Sequence, residues 1–157
     1  MRQTLFLIVA CFSASCAEKR ELVDMNPFHA FADKCTGTGD PVKKTPFCYK
    51  GGATVLGMKE DVVVTIQSAE KVGKINQGTL AIDATGISPE HCKSLNYTKV
   101  SETDNKISFD QAKAAQCLSG TKAAAVYCSD QDAVQLHIQI PHLPVPDIAV
   151  TLAPAPC

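Results

Sequence analysis

Reactive chemistry in this chain would have to start from its sulfurs or its imidazoles. Eight cysteines and four histidines stand among 157 residues. Two of the cysteines, Cys11 and Cys16, fall in a stretch with the layout of a secretory signal. Met1 and Arg2 give a positive start, Leu5 to Phe12 an apolar run, and Ser15-Cys16-Ala17 a small-residue cleavage site. Removal of residues 1–17 leaves Cys35, Cys48, Cys92, Cys117, Cys128 and Cys157, an even set that pairs completely in an oxidising compartment. A competing lipobox reading of Ile8-Val9-Ala10-Cys11 would leave Cys16 as an odd thiol after an unusually short apolar run. Thiolates also bind zinc, but no two of the retained cysteines have the close paired spacing of a zinc site. The expectation is therefore three structural disulfides and no metal. The economical pairing joins Cys35 to Cys48 and Cys117 to Cys128, leaving Cys92 and Cys157 to tie the C-terminus back. Cys11 and Cys16 have no part in it.

The histidines are His29, His91, His137 and His142. With Asp147, His137 and His142 could ligate a metal or form an acid–base pair, but the spacing of a three-ligand site is absent. His137 reads instead as a solvent-facing strand residue and His142 as a loop residue. Ser88 beside His91 sits where helix capping accounts for it. The acid pairs Glu60-Asp61 and Asp130/Asp132 bound strands, as solvated turn residues do, rather than forming a glycosidase pair. There is no Gly-x-Ser-x-Gly elbow, and bridged cysteines leave no thiolate nucleophile. No catalytic residue and no cofactor are assigned. Asn96-Tyr97-Thr98 is an N-glycosylation acceptor, placing a glycan on Asn96.

These residues must be held by a single domain. The expected organisation is a signal peptide over 1–17, an N-terminal segment over 18–34 and one disulfide-bonded β domain over 35–157. Within 18–34, Lys19-Arg20 reads as an exposed basic pair and Asn26-Pro27-Phe28 as a turn. The net charge is −1, and −2 once Arg2 is removed, so no electrostatic footprint for nucleic acid exists. No apolar run after the signal is long enough to span a bilayer as a helix. Aromatic residues are 6% with no Trp, which calls for an aliphatic, alanine-rich interior.

Strict alternation is the clearest structural signal. Val62/Val64/Ile66, Leu80/Ile82/Ala84, Val134/Leu136/Ile138/Ile140 and Ile148/Val150/Leu152 each alternate with more polar neighbours, as strands with one dry face do. Residues 53–57, 97–100, 105–109 and 122–128 are weaker strand candidates, whereas 36–52 is punctuated by Gly and Pro and reads as loop. Two short helices are expected, one opened by Ser88-Pro89-Glu90 and carrying Cys92, the other capped by Ser108 with Gln111 and carrying Cys117 until Gly120 ends it. The fold class is mainly β, an antiparallel two-sheet β-sandwich of seven or eight strands with three disulfides.

The passage from Leu80 to Cys92, with Gly86-Ile-Ser-Pro-Glu-His-Cys92, resembles the Gly-Ile-x-Pro-x-x-Cys passage of the secreted lipid-recognition proteins that include the mite group 2 allergens. That resemblance implies a three-disulfide sandwich with an apolar cavity between its sheets. It assigns no residue roles, because no second cysteine follows Cys92 closely and Cys157 closes the sequence.

The functional expectation is a secreted, extracellular, glycosylated binding protein without enzymatic activity. It would carry or sense a small apolar, lipid-like ligand between the sheets, against Val134, Leu136, Ile138, Ile140, Leu143, Ile148, Val150 and Leu152. The proline-rich segment Pro141–Pro146 would stiffen the connection between the last two strands. An extracellular protein-interaction module without a cavity is the alternative, and a hydrolase with an unrecognised site the third reading.

Overall fold

A computed structural model describes residues 35–41, 43–86, 89–140 and 148–157. The expected signal peptide over 1–17 with Cys11 and Cys16, the 18–34 segment, His29, Ser88, His142, Leu143, the Pro141–Pro146 segment and Asp147 lie outside the described residues. Eight strands follow one another: β1 (Phe47–Val55), β2 (Met58–Val72), β3 (Ile75–Thr85), β4 (Glu90–Val100), β5 (Lys106–Phe109), β6 (Lys122–Cys128), β7 (Ala133–Gln139) and β8 (Ile148–Ala155). Each pairs antiparallel with its neighbour in sequence, and β8 returns to β1 through Cys48↔Ala155, Tyr49↔Pro154 and Lys50↔Ala153. The sandwich expectation is therefore corrected to a closed up-and-down barrel. Alternation demands one dry face per strand, and a barrel lumen satisfies that demand as fully as the gap between two sheets.

Closure depends on local departures from ideal pairing. Register shifts occur between Ile66 and Ser68 and between Leu80 and Ile82, and such irregularities bend strands around a barrel. Gly51 lies inside β1 rather than in the expected loop, because a Cβ there would run into the carbonyl of Thr151 on β8. The Gly51-Gly52 pair thus marks a close strand approach.

The lumen is filled by the inward row of every strand. Tyr49, Val62, Leu80, Leu95, Leu136, Val150 and Leu152 are almost completely buried there. One helix, α1 (Gln111–Cys117), is described instead of two. Its N-cap is Asp110, whose carboxylate accepts from the Lys113 backbone N–H at 3.1 Å, and not Ser108, which lies in β5. Gly120, at φ 80, ends it by donating to the Ala115 carbonyl at 2.9 Å. Cys92 is in strand β4, so the helix expected to carry it is absent. The passage that resembles the mite allergen proteins runs along β3 and into β4, as part of the barrel wall.

The six cysteines from Cys35 onward are all bridged, but as Cys35–Cys128, Cys48–Cys157 and Cys92–Cys117. The short-loop pairing is overturned because barrel closure brings β1 to β8 and because Cys35 packs on the outer face of β6, against Val126 and Cys128. Loop-closure entropy makes such long bridges stronger. With sequence separations of 93 and 109, two of them would contribute about 4.7 kcal/mol each, and the third, separated by 25, about 3.5 kcal/mol.

Candidate functional site

The two ends of the barrel differ in chemistry. One end carries the turns after β2, β4 and β6, and residues 35–41 and 43–46 cross it as a strap. Cys35 is bonded to Cys128. The Gly39 N–H donates to the Ser129 hydroxyl at 3.0 Å, and the Thr36 hydroxyl donates to the Asp130 carboxylate at 3.0 Å. Beneath the strap all three tyrosines of the chain, Tyr49, Tyr97 and Tyr127, point into the lumen, together with Phe47. They line a cavity of about 30 Å³ with Ile66, Asn76, Leu80, Lys99, Ile107 and Val134. A water needs roughly 10–15 Å³, so the closed cavity holds a water or two and no more.

Lys99 is the unusual member of that wall. It occupies an inward position of β4, only 3% exposed, two residues after Tyr97. Its ammonium donates to the Thr38 carbonyl at 2.6 Å and to the Asp40 carboxylate at 3.3 Å. A lysine has three donors, so these two acceptors leave capacity for a third. Burial would push the Asp40 carboxyl up. The Lys99 ammonium, with the charge of Lys71 at 3.5 Å, helps bring it below the ordinary carboxylate range instead.

A second group sits beside the first. Asp132, in the turn between β6 and β7, accepts from the Tyr49 hydroxyl at 2.8 Å and the Tyr127 hydroxyl at 3.2 Å. Its other oxygen meets the Lys43 ammonium at 2.7 Å. Burial opposes ionisation of Asp132, but the hydrogen bonds from Lys43 and Tyr49 outweigh it and hold the carboxyl below its usual range. Burial in turn pushes the phenols of Tyr97 and Tyr127 up to about 12, and that of Tyr49 higher still.

The residues singled out in the sequence are distributed differently. Val134, Leu136, Ile138, Ile148, Val150 and Leu152 are buried in the wall formed by β7 and β8, and of these only Val134 reaches the cavity; Ile140 packs partly buried against the core. His137 is 7% exposed on the outward side of β7, not solvent-facing, and Gln135 beside it is buried too. Glu60 is a buried residue of β2, whereas Asp61 pairs with Lys59 at 2.8 Å, so the first acid pair is no solvated turn. The second divides as well: Asp130 binds the strap and Asp132 caps the tyrosines. His91 pairs with Asp83 at 2.8 Å across β3 and β4 in the open. The sulfurs of Cys35 and Cys128 lie close to the Asp130 carboxylate, but they are bonded to each other and offer no thiolate to a metal. Asn96 is exposed on the outer face of β4, with Tyr97 inward.

The sequence does not single out Tyr49, Tyr97, Lys99 or Lys43 as site residues, and it reads Asp132 as a solvated turn acid. The available signal was Leu95, Tyr97 and Lys99 at spacing two, which puts a lysine on a dry face. Among the described residues no helix is long and apolar enough to cross a membrane. No family model matches this chain, and neither a curated protein nor a solved structure matches it.

Proposed function

We propose that this protein is a secreted, non-enzymatic carrier or sensor that takes a small amphipathic ligand into the strapped end of its barrel. The observation that carries this reading is the buried Lys99 ammonium, set in an apolar and phenolic wall under a strap fastened largely by polar contacts. Closed eight-stranded barrels have lumens that are either filled by side chains or able to hold one small ligand. Here the ligand enters by lifting the strap and displacing Phe47 and Tyr49. An acidic head then takes the remaining donor of Lys99, and an acyl or alkyl tail lies along Ile66, Leu80, Ile107 and Val134. Exposed strap contacts such as that of Thr36 with Asp130 suit this role, since water replaces them at small cost. Three disulfides suit an oxidising, extracellular setting.

Native mass spectrometry of the protein secreted from eukaryotic cells tests the proposal. The expected result is a mature chain beginning after Ala17, a mass loss on N-glycosidase treatment from Asn96, and an acidic amphiphile that leaves on denaturation. A protein that emerges empty and takes up no added decanoate contradicts the carrier reading.

A second reading, an extracellular protein-interaction module, rests on Val72, Ile75 and Val100. These residues are 52%, 43% and 44% exposed and adjacent across β2, β3 and β4. Retention of decanoate binding after all three are changed to Thr separates the two readings.

A further inference from the structure

The contacts of Lys43 have the composition of a bound guest. Its ammonium lies 2.7 Å from the Asp132 carboxylate, 4.8 Å from the centroid of the Tyr49 ring and 5.7 Å from that of Phe47. Both rings are within the distance at which an aromatic face attracts a cation. The carboxylate is divided between two tasks: one oxygen accepts both tyrosine hydroxyls and the other takes the cation. Asp132 adopts φ 45, a conformation uncommon for residues other than glycine, and its side chain is thereby aimed from the β6–β7 turn at the tyrosines. An ion pair that only fastened the strap would need neither rings nor hydroxyls. Lys43 lies in the strap outside any strand, with its side chain 29% exposed, so its ammonium can leave without unfolding the barrel.

We propose that Asp132, the rings of Tyr49 and Phe47 and the Tyr127 hydroxyl form an ammonium-binding subsite that Lys43 fills from within the chain and that a small organic ammonium ion can take over. The exchange replaces one monocation with another, so the carboxylate is never left uncompensated. An anion of the same shape is rejected by Asp132. The subsite shares the strapped end and the rings of Phe47 and Tyr49 with the ligand entry proposed above, but its charge chemistry rests on Asp132 and not on Lys99.

The test uses phenethylammonium as the probe, titrated by calorimetry into the full mature protein at neutral pH. Lys43→Met removes the internal cation and should tighten binding by about tenfold or more over the native protein. Lys43→Ala repeats the test with a shorter side chain at the same partly exposed position. Asp132→Asn added to either variant should abolish binding, and phenylacetate should bind none of these proteins. Equal affinity in native and Lys43 variants, or binding that survives Asp132→Asn, overturns the proposal. Decanoate uptake is read separately, so loss of the Lys99-dependent site and loss of this one are distinguishable.

Discussion

At the end of the barrel that carries the Leu56-Gly57 turn, α1 lays Ala114 and Leu118 against the lumen, and Cys92–Cys117 ties the helix to β4. Around them the wall is largely aliphatic, with Val62, Ala84, Leu95, Ala123 and Ile138, although the buried Glu60 shares the row of Val62 on β2. At the opposite end the strap is held over tyrosines by hydrogen bonds and ion pairs, and only Cys35–Cys128 anchors it covalently. Apolar closure resists water, because separating the surfaces re-exposes area at about 25 cal/mol per Å². Polar closure does not, because water offers the same hydrogen bonds. Under the proposed ligand entry, the contrast locates the opening in the flap between Cys35 and β1 rather than at the helical end.

The comparison is broken most forcefully at the helical end. Replacing Cys92 and Cys117 together with Ser should lower stability by about 3 kcal/mol in denaturant unfolding, while leaving decanoate affinity unchanged. Leu118→Ala should cost about 2–4 kcal/mol by the same measurement, here through lost apolar burial and the cavity left behind, with the same neutrality toward ligand. A change in ligand affinity from either would show that the two ends are coupled.

The strapped end is sharpened by its titrations. Burial holds the phenols of Tyr97 and Tyr127 at about 12 in the folded protein, against about 10 when unfolded. The unfolded chain therefore loses protons first, and stability present below pH 10 is lost as pH rises from 10 toward 12. Phenolate absorbance should stay flat past pH 10 and then rise together with unfolding, with all three tyrosines in one step. A fraction titrating at the ordinary value would place that ring outside the lumen.

The carboxylates act in the opposite direction and more weakly. Asp40 and Asp132 are depressed, so their contribution is present above the unfolded value near 4 and is lost as pH falls through their lower folded values. Asp132→Asn should flatten that acid limb slightly in thermal melts between pH 5 and pH 2. The effect is small because the Asp132 side chain is 39% exposed and screened by water.

Much of the wall was legible in the sequence, whereas its closure and its site were not. Alternation at 62–66, 80–84, 134–140 and 148–152 marks the inward rows, since period two follows from strand geometry alone, but Ile140 falls beyond β7 and the face of Gln135 and His137 is buried rather than wet. It could not say whether the dry faces meet across two sheets or around a lumen, because that depends on whether β8 pairs with β1. Gly51-Gly52 was the local sign of that pairing, and it reads equally well as a loop. The disulfides were legible as a set and not as pairs, since closure sets the distances. Cys92 was placed in a helix by Ser88-Pro89-Glu90, but strand pairing with β3 overrode the local signal. Lys99 and Asp132 stayed hidden for opposite reasons. A lysine among strand residues reads as solvated until Tyr97 and Leu95 fix its face. An aspartate in a turn reads as a turn residue until the fold brings Tyr49 to it, 83 positions away.

The strapped end as a ligand mouth is tested most directly by tyrosine fluorescence of the native protein and of Lys99→Met during titration with decanoate. With no tryptophan in the chain, the emission comes from the three rings that line the cavity. The account expects a saturable change in the native protein and at least about a tenfold weaker one in Lys99→Met, as loss of a charge-assisted hydrogen bond implies. A native response that never saturates, or one that Lys99→Met leaves unaltered, would contradict it.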